Sequence, residues 1–390
     1  MQALRFELNN EQRKYLGLAP VEAHWELQQL GEQYLYFDGE SIRKEILVTE
    51  NSYFEKELNE KTAENRTILL PKTARGKPKK LNFTATKSFG SVGVYFQYSH
   101  DYISISSYDT QTTFHGERLP EKSNLATLQA WLTQWIADST AEDLKAIGAF
   151  KTAKRSHHKY QEGDFFAFKV DRRRYGFGRI LLDVVKLKKS KGFDRNKNYG
   201  LTSLMGRALI VKVYHKISDT LDVDLDELAQ TMALPSQAVM DNHFYYGENI
   251  IIGHKPIEPS DQDMLISYGL SIRADEIDLV YMQYGLIYKE MRVKQFNQLL
   301  HPDDSNIQND TLKNNPFRNE GIGFALKVSP LEACIQAQSN QPFWENSWVR
   351  DLRNPQYAQE KRAVFQVFGL DADKSYEENL RLSKKNRAKS

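Results

Sequence analysis

The chain has 390 residues, 40% hydrophobic and 12% aromatic, a globular composition long enough for two or three domains and not that of a disordered chain. Its formal net charge of +2 assigns no partner class by itself. No run of about eighteen apolar residues occurs, and the opening MQALRFELNNEQRKYL lacks the apolar core of a signal peptide, so neither membrane insertion nor standard export is expected and the cytoplasm is the expected compartment.

The first 150 residues read as a mainly β domain closed by helices. Asn9 and Asn10 open a short helix over EQRKYLGL that Pro20 ends. Strands are predicted at Tyr34 to Phe37, Arg43 to Thr49, Arg66 to Pro71, Lys80 to Ala85, Gly93 to Ser99 and Tyr102 to Ser107, where short alternating or β-branched runs stand between polar breaks. His100-Asp101 has the length of a tight hairpin turn. Asn124 caps a helix carrying Leu125, Leu128, Leu132 and Trp135 at helical spacing, and Thr140 with Asp143 forms a capping-box pair for the next.

The polar stretch Lys151 to Lys159 reads as a linker into a second domain over 151–290. There GDFFAFKVDRRRYGFGRILL, Gly163 to Leu182, encodes two strands joined by a charged turn at Asp171 to Arg174, with the alternation of a half-buried surface. Lys186 to Gly200 reads as a long exposed loop and Arg207 to Tyr214 as a buried strand. Asp224 caps a short helix with Leu225, Leu228 and Met232 that Pro235 closes, and Asn249 to His254 and Leu279 to Tyr288 supply two apolar strands. A helical C-terminal segment is expected over 291–390. Ser329-Pro330-Leu331-Glu332 is a helix start with Pro at the first helical position, and Asn354-Pro355 opens a helix stopped at Gly369. The charged end from Tyr376 is expected to fray, and a separate C-terminal domain and helices laid on the second sheet both fit. The fold class is α+β.

Gly163-Asp164 before the first strand and Tyr175-Gly176-Phe177-Gly178-Arg179 in the second resemble small SH3-like barrels, where glycines let a bent strand pass close to its neighbour. The same block resembles the immunity protein 26 family, over roughly Tyr160 to Tyr288, with weaker likeness around Phe244 to Ile252 and Val280 to Tyr288. The resemblance implies a bacterial protein that neutralises a cognate toxin by binding it, and it marks Gly163, Asp164, Tyr175, Gly176, Gly178 and Arg179 as structural positions first. Some members carry a phosphotriesterase label, which implies a hydrolase as an alternative. The long N-terminal domain and the helical tail depart from the short members of that family.

Charge is uneven along the chain. Lys151 to Lys197 holds fifteen Lys or Arg against five Asp or Glu, whereas Ser218 to Asp278 holds thirteen acidic residues against Lys255 and Arg273. Two readings follow: complementary halves of one domain, or an acidic docking face for a basic toxin. The second assigns partner contact to Asp222, Asp224, Asp226, Glu227, Phe244, Tyr245 and Tyr246, with core packing as the competing role of the aromatics. The alternative from another class is nucleic-acid binding by Arg172, Arg173, Arg174, Lys186, Lys188, Lys189 and Lys191 around the aromatic strands, with Lys72 to Lys80 as a second basic run.

Catalytic and metal motifs are weak. His157-His158 cannot share a helix face, H-E-x-x-H is absent, and Asp222, Asp224 and Asp226 imitate a calcium loop but meet Glu227 where Gly is needed and Ala233 where Glu is needed. Neither a phosphate-binding G-x-x-x-x-G-K-[ST] nor a G-x-S-x-G elbow occurs, and Gly176-x-Gly178 lies within a strand. Glu162 with Asp164, and His243 with Glu248, remain as the nearest approach to a catalytic set. Cys334, the single cysteine, lies on the apolar face of a predicted helix and reads as a buried structural thiol. No metal or cofactor is expected, and the favoured reading is a non-catalytic immunity-type protein.

Overall fold

The computed structural model describes residues 6–30, 33–63, 70, 72–78, 89–120, 122–271, 278–303, 318, 321–337 and 351–387. Two compact units emerge. The first comprises Met1–His158 with Lys169–Arg173 and Tyr246–Glu248, and the second comprises Lys159–Phe168, Arg174–Tyr245 and Asn249–Ser390. Among the described residues no helix is long and apolar enough to cross a membrane.

In the first unit α1 (Asn10–Tyr15) precedes β1 (Glu26–Leu30), β2 (Gln33–Phe37), β3 (Ser41–Val48), β4 (Tyr53–Lys61), β5 (Ser91–Ser99), β6 (Tyr102–Ser107) and β7 (Thr112–Arg118), followed by α2 (Leu125–Ala137) and α3 (Ala141–Thr152). The strands make one antiparallel meander in chain order. Val94, Phe96 and Tyr98 of β5 and Ile103 and Ile105 of β6 face a core completed by Leu128, Leu132 and Trp135 of α2 and Ile147 of α3. The turn at His100-Asp101 is as expected, since Ser99 pairs directly with Tyr102. The caps also follow the sequence: Asn9 holds the N–H of Gln12, Asn124 those of Ala126 and Thr127, and Thr140 that of Asp143. α1 ends before Pro20, because the chain turns at Gly17 with φ +74°. The strands expected at Arg66 to Pro71 and Lys80 to Ala85 lie outside the described residues apart from Leu70.

β1, β4 and β7 are additional to the sequence expectation. β4 shows why: its sequence YFEKELNEK buries the charged Glu55 between Tyr53 and Leu58. Glu55 is fully buried and receives Lys44 Nζ at 2.6 Å, Arg13 Nε at 2.9 Å and Tyr53 Oη at 2.5 Å. Lys44, also fully buried, donates to Ala19 O at 2.9 Å. Burying a carboxylate is costly unless it is paired and hydrogen-bonded, and here two cations and a phenol satisfy it across α1, β3 and β4.

The second unit contains β8 (Asp164–Lys169), β9 (Tyr175–Asp183), α4 (Val184–Lys188), α5 (Tyr199–Thr202), β10 (Ala208–Ser218), α6 (Leu225–Gln230), β11 (Ala233–Met240), α7 (Asn242–Tyr245) and β12 (Ile250–His254). β13 (Ile266–Leu270), β14 (Leu279–Tyr284), β15 (Ile287–Arg292), α8 (Val293–Leu300), α9 (Leu331–Gln336), α10 (Ala358–Val367) and α11 (Tyr376–Arg387) complete it. One sheet has the order β11-β10-β9-β8-β12, another β13-β14-β15. The first carries irregular registers between β10 and β11, β10 and β9, and β12 and β8, so it departs from a regular ladder. Among the described residues it stays open, with β11 and β12 at its edges, and no closed barrel forms.

Several expectations change here. β8 is buried on both faces rather than half-buried, since Phe165, Phe166, Ala167 and Phe168 are each at most 5% exposed. Lys186 to Gly200 is not wholly loop: α4 enters it, α5 begins at its end, and Tyr199 is buried. Pro235 does not close α6, which ends at Gln230; it lies in edge strand β11, where the register shifts between Val211 and Val213 of β10. An edge strand or bulge is where a residue without a backbone donor fits. Leu279 to Tyr288 is divided, because Gly285 (φ +52°) turns β14 back into β15. β13 is additional.

Of the two placements open for the tail, helices on a sheet is the geometry found. Val293 and Phe296 of α8, Val364, Phe365 and Phe368 around α10, and Tyr376 of α11 share a core with Ile266, Tyr268, Val280, Met282 and Ile287. α9 starts at Leu331 with Pro330 in the cap position, one residue later than expected, and buries Cys334. α10 follows the Asn354 cap and stops ahead of Gly369 at φ +68°. Tyr376–Arg387 is helical rather than frayed.

The buried carboxylate of the first unit generates a stability prediction. Lys44 and Arg13 hold the Glu55 carboxyl below its ordinary value of 4.5, against the opposing pull of desolvation. A carboxyl depressed on folding adds stability that is present above its unfolded value and lost as pH falls through and below it. Glu57, pushed up chiefly by burial, works in the opposite sense. Glu55→Gln should cost about 3–5 kcal/mol in urea unfolding near neutral pH, because it leaves Lys44 buried without a carboxylate and Arg13 with Glu7 alone, and it should flatten the loss of stability below pH 4.5. A change under about 1 kcal/mol would contradict the ion cluster as a support of the sheet.

Candidate partner-binding site

The residues marked in Gly163 to Leu182 build a scaffold. Gly178 lies under the Phe166 ring and beside a backbone carbonyl: a Cβ there would meet Phe166 Cζ at 2.3 Å and Lys212 O at 2.5 Å. Gly176 stands likewise under Phe168, where a Cβ would meet the ring at 2.4 Å. The phenylalanines of β8 therefore cross β9 over its two glycines. Gly163, at φ +90°, receives Lys255 N at 3.1 Å on its carbonyl and donates its own N–H to Ile180 O at 2.9 Å. Tyr175, at the start of β9, joins the aromatic core around Phe165 and Phe177 as a partly buried member.

Asp164 and Arg179 fasten this hairpin to the end of β12 and to the segment after it, respectively. Asp164, 5% exposed, accepts from Gln161 N at 2.8 Å and lies 2.8 Å from His254 Nδ1. Arg179, 1% exposed, donates Nη2 to Lys255 O at 2.9 Å and Pro256 O at 2.8 Å, pairs Nη1 with Asp261 at 2.8 Å, and lies 4.5 Å from the Phe165 ring centroid. Lys212 of β10 reaches the same Asp261 oxygen at 3.6 Å, and burial pulls its ammonium below the ordinary lysine value. Lys212, His254 and Asp261 escaped the sequence reading because their partners are distant: Arg179 and Lys255 are 76 residues apart.

The acidic candidates share one exposed stretch. Asp222, Asp224, Asp226 and Glu227 are all exposed, while Leu225 and Leu228 turn inward to Phe165, Phe177 and Tyr214. Asp224 caps α6, accepting from Asp226 N at 2.7 Å and Glu227 N at 3.0 Å, and these N–H groups hold its carboxyl below its ordinary range. Asp226 pairs with Lys255.

The aromatic candidates separate. Phe244 is 1% exposed and packs edge-on to Phe166 with centroids 4.8 Å apart, so it belongs to the core and offers no docking surface. Tyr245 is 36% exposed. Tyr246 belongs to the first unit, 5.9 Å from the His157 ring and 5.9 Å from the Arg155 guanidinium.

The basic candidates are largely engaged within the chain. Arg172 stacks 4.3 Å from the Trp135 ring centroid and donates to Ser139 Oγ at 2.9 Å, and Arg173 pairs with Asp143 at 2.5 Å, all within the first unit. Arg174 pairs with Glu332 at 2.8 Å, and Lys188 donates to Thr202 O and Leu204 O at 3.3 and 3.0 Å. Lys186, Lys189 and Lys191 are exposed. In the second basic run, Thr73 N bonds to Lys77 O in a turn exposing Arg75 and Lys77, and Lys79 and Lys80 lie outside the described residues.

The catalytic candidates serve as structural acceptors. Glu162 accepts from Asp183 N at 2.9 Å, and Glu248, in the first unit, from Thr113 N at 2.7 Å; His243 lies in α7 of the second. His158 shares a hydrogen bond with Ser156 Oγ at 2.8 Å. Among the described residues no group of three or more His, Cys, Asp or Glu side chains is placed to hold a metal ion.

Residues 161–275 match the family model of immunity protein 26. That segment holds the glycine–phenylalanine crossing, the Arg179 anchor and the acidic stretch. No curated protein and no solved structure matches the chain.

The crossing predicts a sharp contrast between two added methyl groups. Gly178→Ala must move the Lys212 backbone and should cost about 1–3 kcal/mol or more. Gly148→Ala, in α3 with nothing within 4 Å of the new carbon, should add about 0.5–1 kcal/mol. Denaturant unfolding of the full chain, with hydrogen exchange to localise each change, checks both; equal effects would contradict the crossing.

Proposed function

We propose that this chain is an immunity-type protein that acts in the cytoplasm by binding a cognate bacterial toxin, with no chemistry of its own. The observation that carries this reading is the match of residues 161–275 to immunity protein 26. The site geometry supports it in two ways. The marked residues Gly163, Asp164, Gly176, Gly178 and Arg179 are committed to holding the sheet and the segment after β12 together, so a binding surface has to come from other side chains. The exposed carboxylates of Asp222, Asp224, Asp226 and Glu227 stand on that scaffold and suit a partner with a basic contact face. Nucleic-acid binding is less well supported, since Arg172, Arg173 and Arg174 hold internal partners.

The test begins with the partner recovered from the producing cell on the intact chain after nuclease treatment. Replacing Asp222, Asp224 and Asp226 by Asn and Glu227 by Gln should lower its association rate by about 10- to 100-fold at low salt and leave dissociation little changed. Asn at 224 retains the helix cap, so folding is preserved. Association kinetics that ignore both the substitutions and the salt concentration would sink the acidic face. Capture that occurs only without nuclease and vanishes with it would move the function to nucleic acid.

A further inference from the structure

The two edges of the β11-β10-β9-β8-β12 sheet are treated differently. The outer edge of β11 is covered by the chain itself: Met240 N bonds to Gly323 O at 2.9 Å, Gly323 N to Ala238 O at 3.2 Å, and the Gln237 amide brackets the Lys327 backbone at 2.7 and 3.2 Å. Pro235 further blunts that strand. β12 has no such cover. Beyond its pairing with β8, residues 250–254 make no backbone–backbone hydrogen bond among the described residues.

This open edge is apolar and accessible. It reads Ile250-Ile251-Ile252-Gly253-His254, with Ile250 38% exposed and no residue of the strand fully buried. An apolar strand with unpaired backbone groups is a template for another strand. The acidic stretch stands beside it. Leu225 of α6 sits on Gly253, where a Cβ would meet its methyl at 2.4 Å, and Asp226 is tied to Lys255 just past the strand. Charge and edge thus converge on one kind of occupant.

We propose that β12 is a strand-addition site: an extended segment of the partner, alternating apolar residues with Lys or Arg, pairs its main chain with residues 250–254 while the carboxylates around α6 hold its cations. Such main-chain augmentation supplies affinity, and flanking side chains supply selectivity. A register shift between Ile251 and Gly253 limits the added ladder to a few pairs, which makes the electrostatic contribution necessary. The proposal rests on the partner-binding reading above and names the form its contact takes.

The experiment uses the full chain and a short synthetic peptide of alternating lysine and valine, with two controls: a peptide of equal charge in which alternate valines are proline, and a glutamate–valine peptide. Amide hydrogen exchange is read across residues 250–254. The lysine–valine peptide should slow exchange there roughly tenfold or more at saturation, less so at high salt, and neither control should. Unchanged exchange at 250–254 overturns strand addition, as does equal protection by the proline peptide; equal protection by the glutamate peptide overturns the cationic occupant. Ile250→Lys, which charges the edge, should abolish protection while β9 and β10 keep their own, showing that the sheet remains folded. Failure of this proposal is separable from failure of the acidic face. A captured toxin whose association still slows in the Asn and Gln variants, with exchange at 250–254 unaltered, would sink strand addition alone.

Discussion

The second unit depends on a buried guanidinium. Moving an arginine out of water carries a desolvation cost of several kcal/mol unless its donors are met; the two terminal nitrogens of Arg179 are met by Lys255 O, Pro256 O and the Asp261 carboxylate, while its buried Nε has no hydrogen-bond partner among the described residues. Those three acceptors lie on the segment that follows β12. The same ion pair therefore fixes where the edge strand ends and where the sequence turns toward β13. On β9 the Phe166 and Phe168 rings cross Gly178 and Gly176 on one face of the sheet, and the Arg179 side chain lies along Phe165 on the other. Arg353 repeats the device from the C-terminal side, donating to Ser236 O and Oγ and pairing with Asp263 at 3.2 Å. Sheet, following segment and tail are thus clamped by cations brought in from distant sequence.

The first unit applies the same rule with the signs exchanged. There a buried carboxylate, Glu55, gathers Lys44, Arg13 and Tyr53. Such clusters contribute less net stability than an apolar core of equal volume. What they add is register. A slip by one residue would put Glu55 on the opposite face of the sheet and strand the buried Lys44 ammonium.

How far the sequence could be read follows from these interactions. Local signals were legible: the caps at Asn9, Asn124, Thr140 and Asp224 act within three residues, and the alternation of β5 and β6 is plain from one strand alone. β4 was not, because one of its buried positions is the charged Glu55, between Tyr53 and Leu58, and the apolar alternation is broken until Lys44 and Arg13 are brought opposite it. β11 was hidden by Pro235, which reads as a helix stop until the strand is seen at an edge with a register shift. In the candidate site, the marked glycines and Arg179 were identified as structural, but nothing local distinguishes Phe244, which is in the core, from the exposed Tyr245 next to it. That difference is made by contact with Phe166, a residue of another strand.

The charge asymmetry visible in the sequence changes meaning once partners are assigned. From 151 to 197 the excess is basic, yet Arg172, Arg173, Arg174, Arg179 and Lys188 each meet an aromatic ring, a carboxylate or a carbonyl within the chain, and Lys197 pairs with Glu290 at 2.6 Å. From 218 to 278 the excess is acidic, and part of it is consumed in the same way. Asp241 takes Tyr160 and Arg207, Asp261 takes Arg179 and Lys212, and Asp263 takes Arg353. The stretch around α6 stays at the surface, where Lys255 neutralises Asp226 and Asp224 is spent in part on its own backbone. Complementary halves and an acidic docking face are therefore not rival readings of this chain. Internal pairing consumes part of both surpluses, and exposed carboxylates around α6 stand beside the sheet edge that has no backbone cover among the described residues. A cation-bearing strand meets both of those open valences at once, since its main chain suits the edge and its side chains the carboxylates.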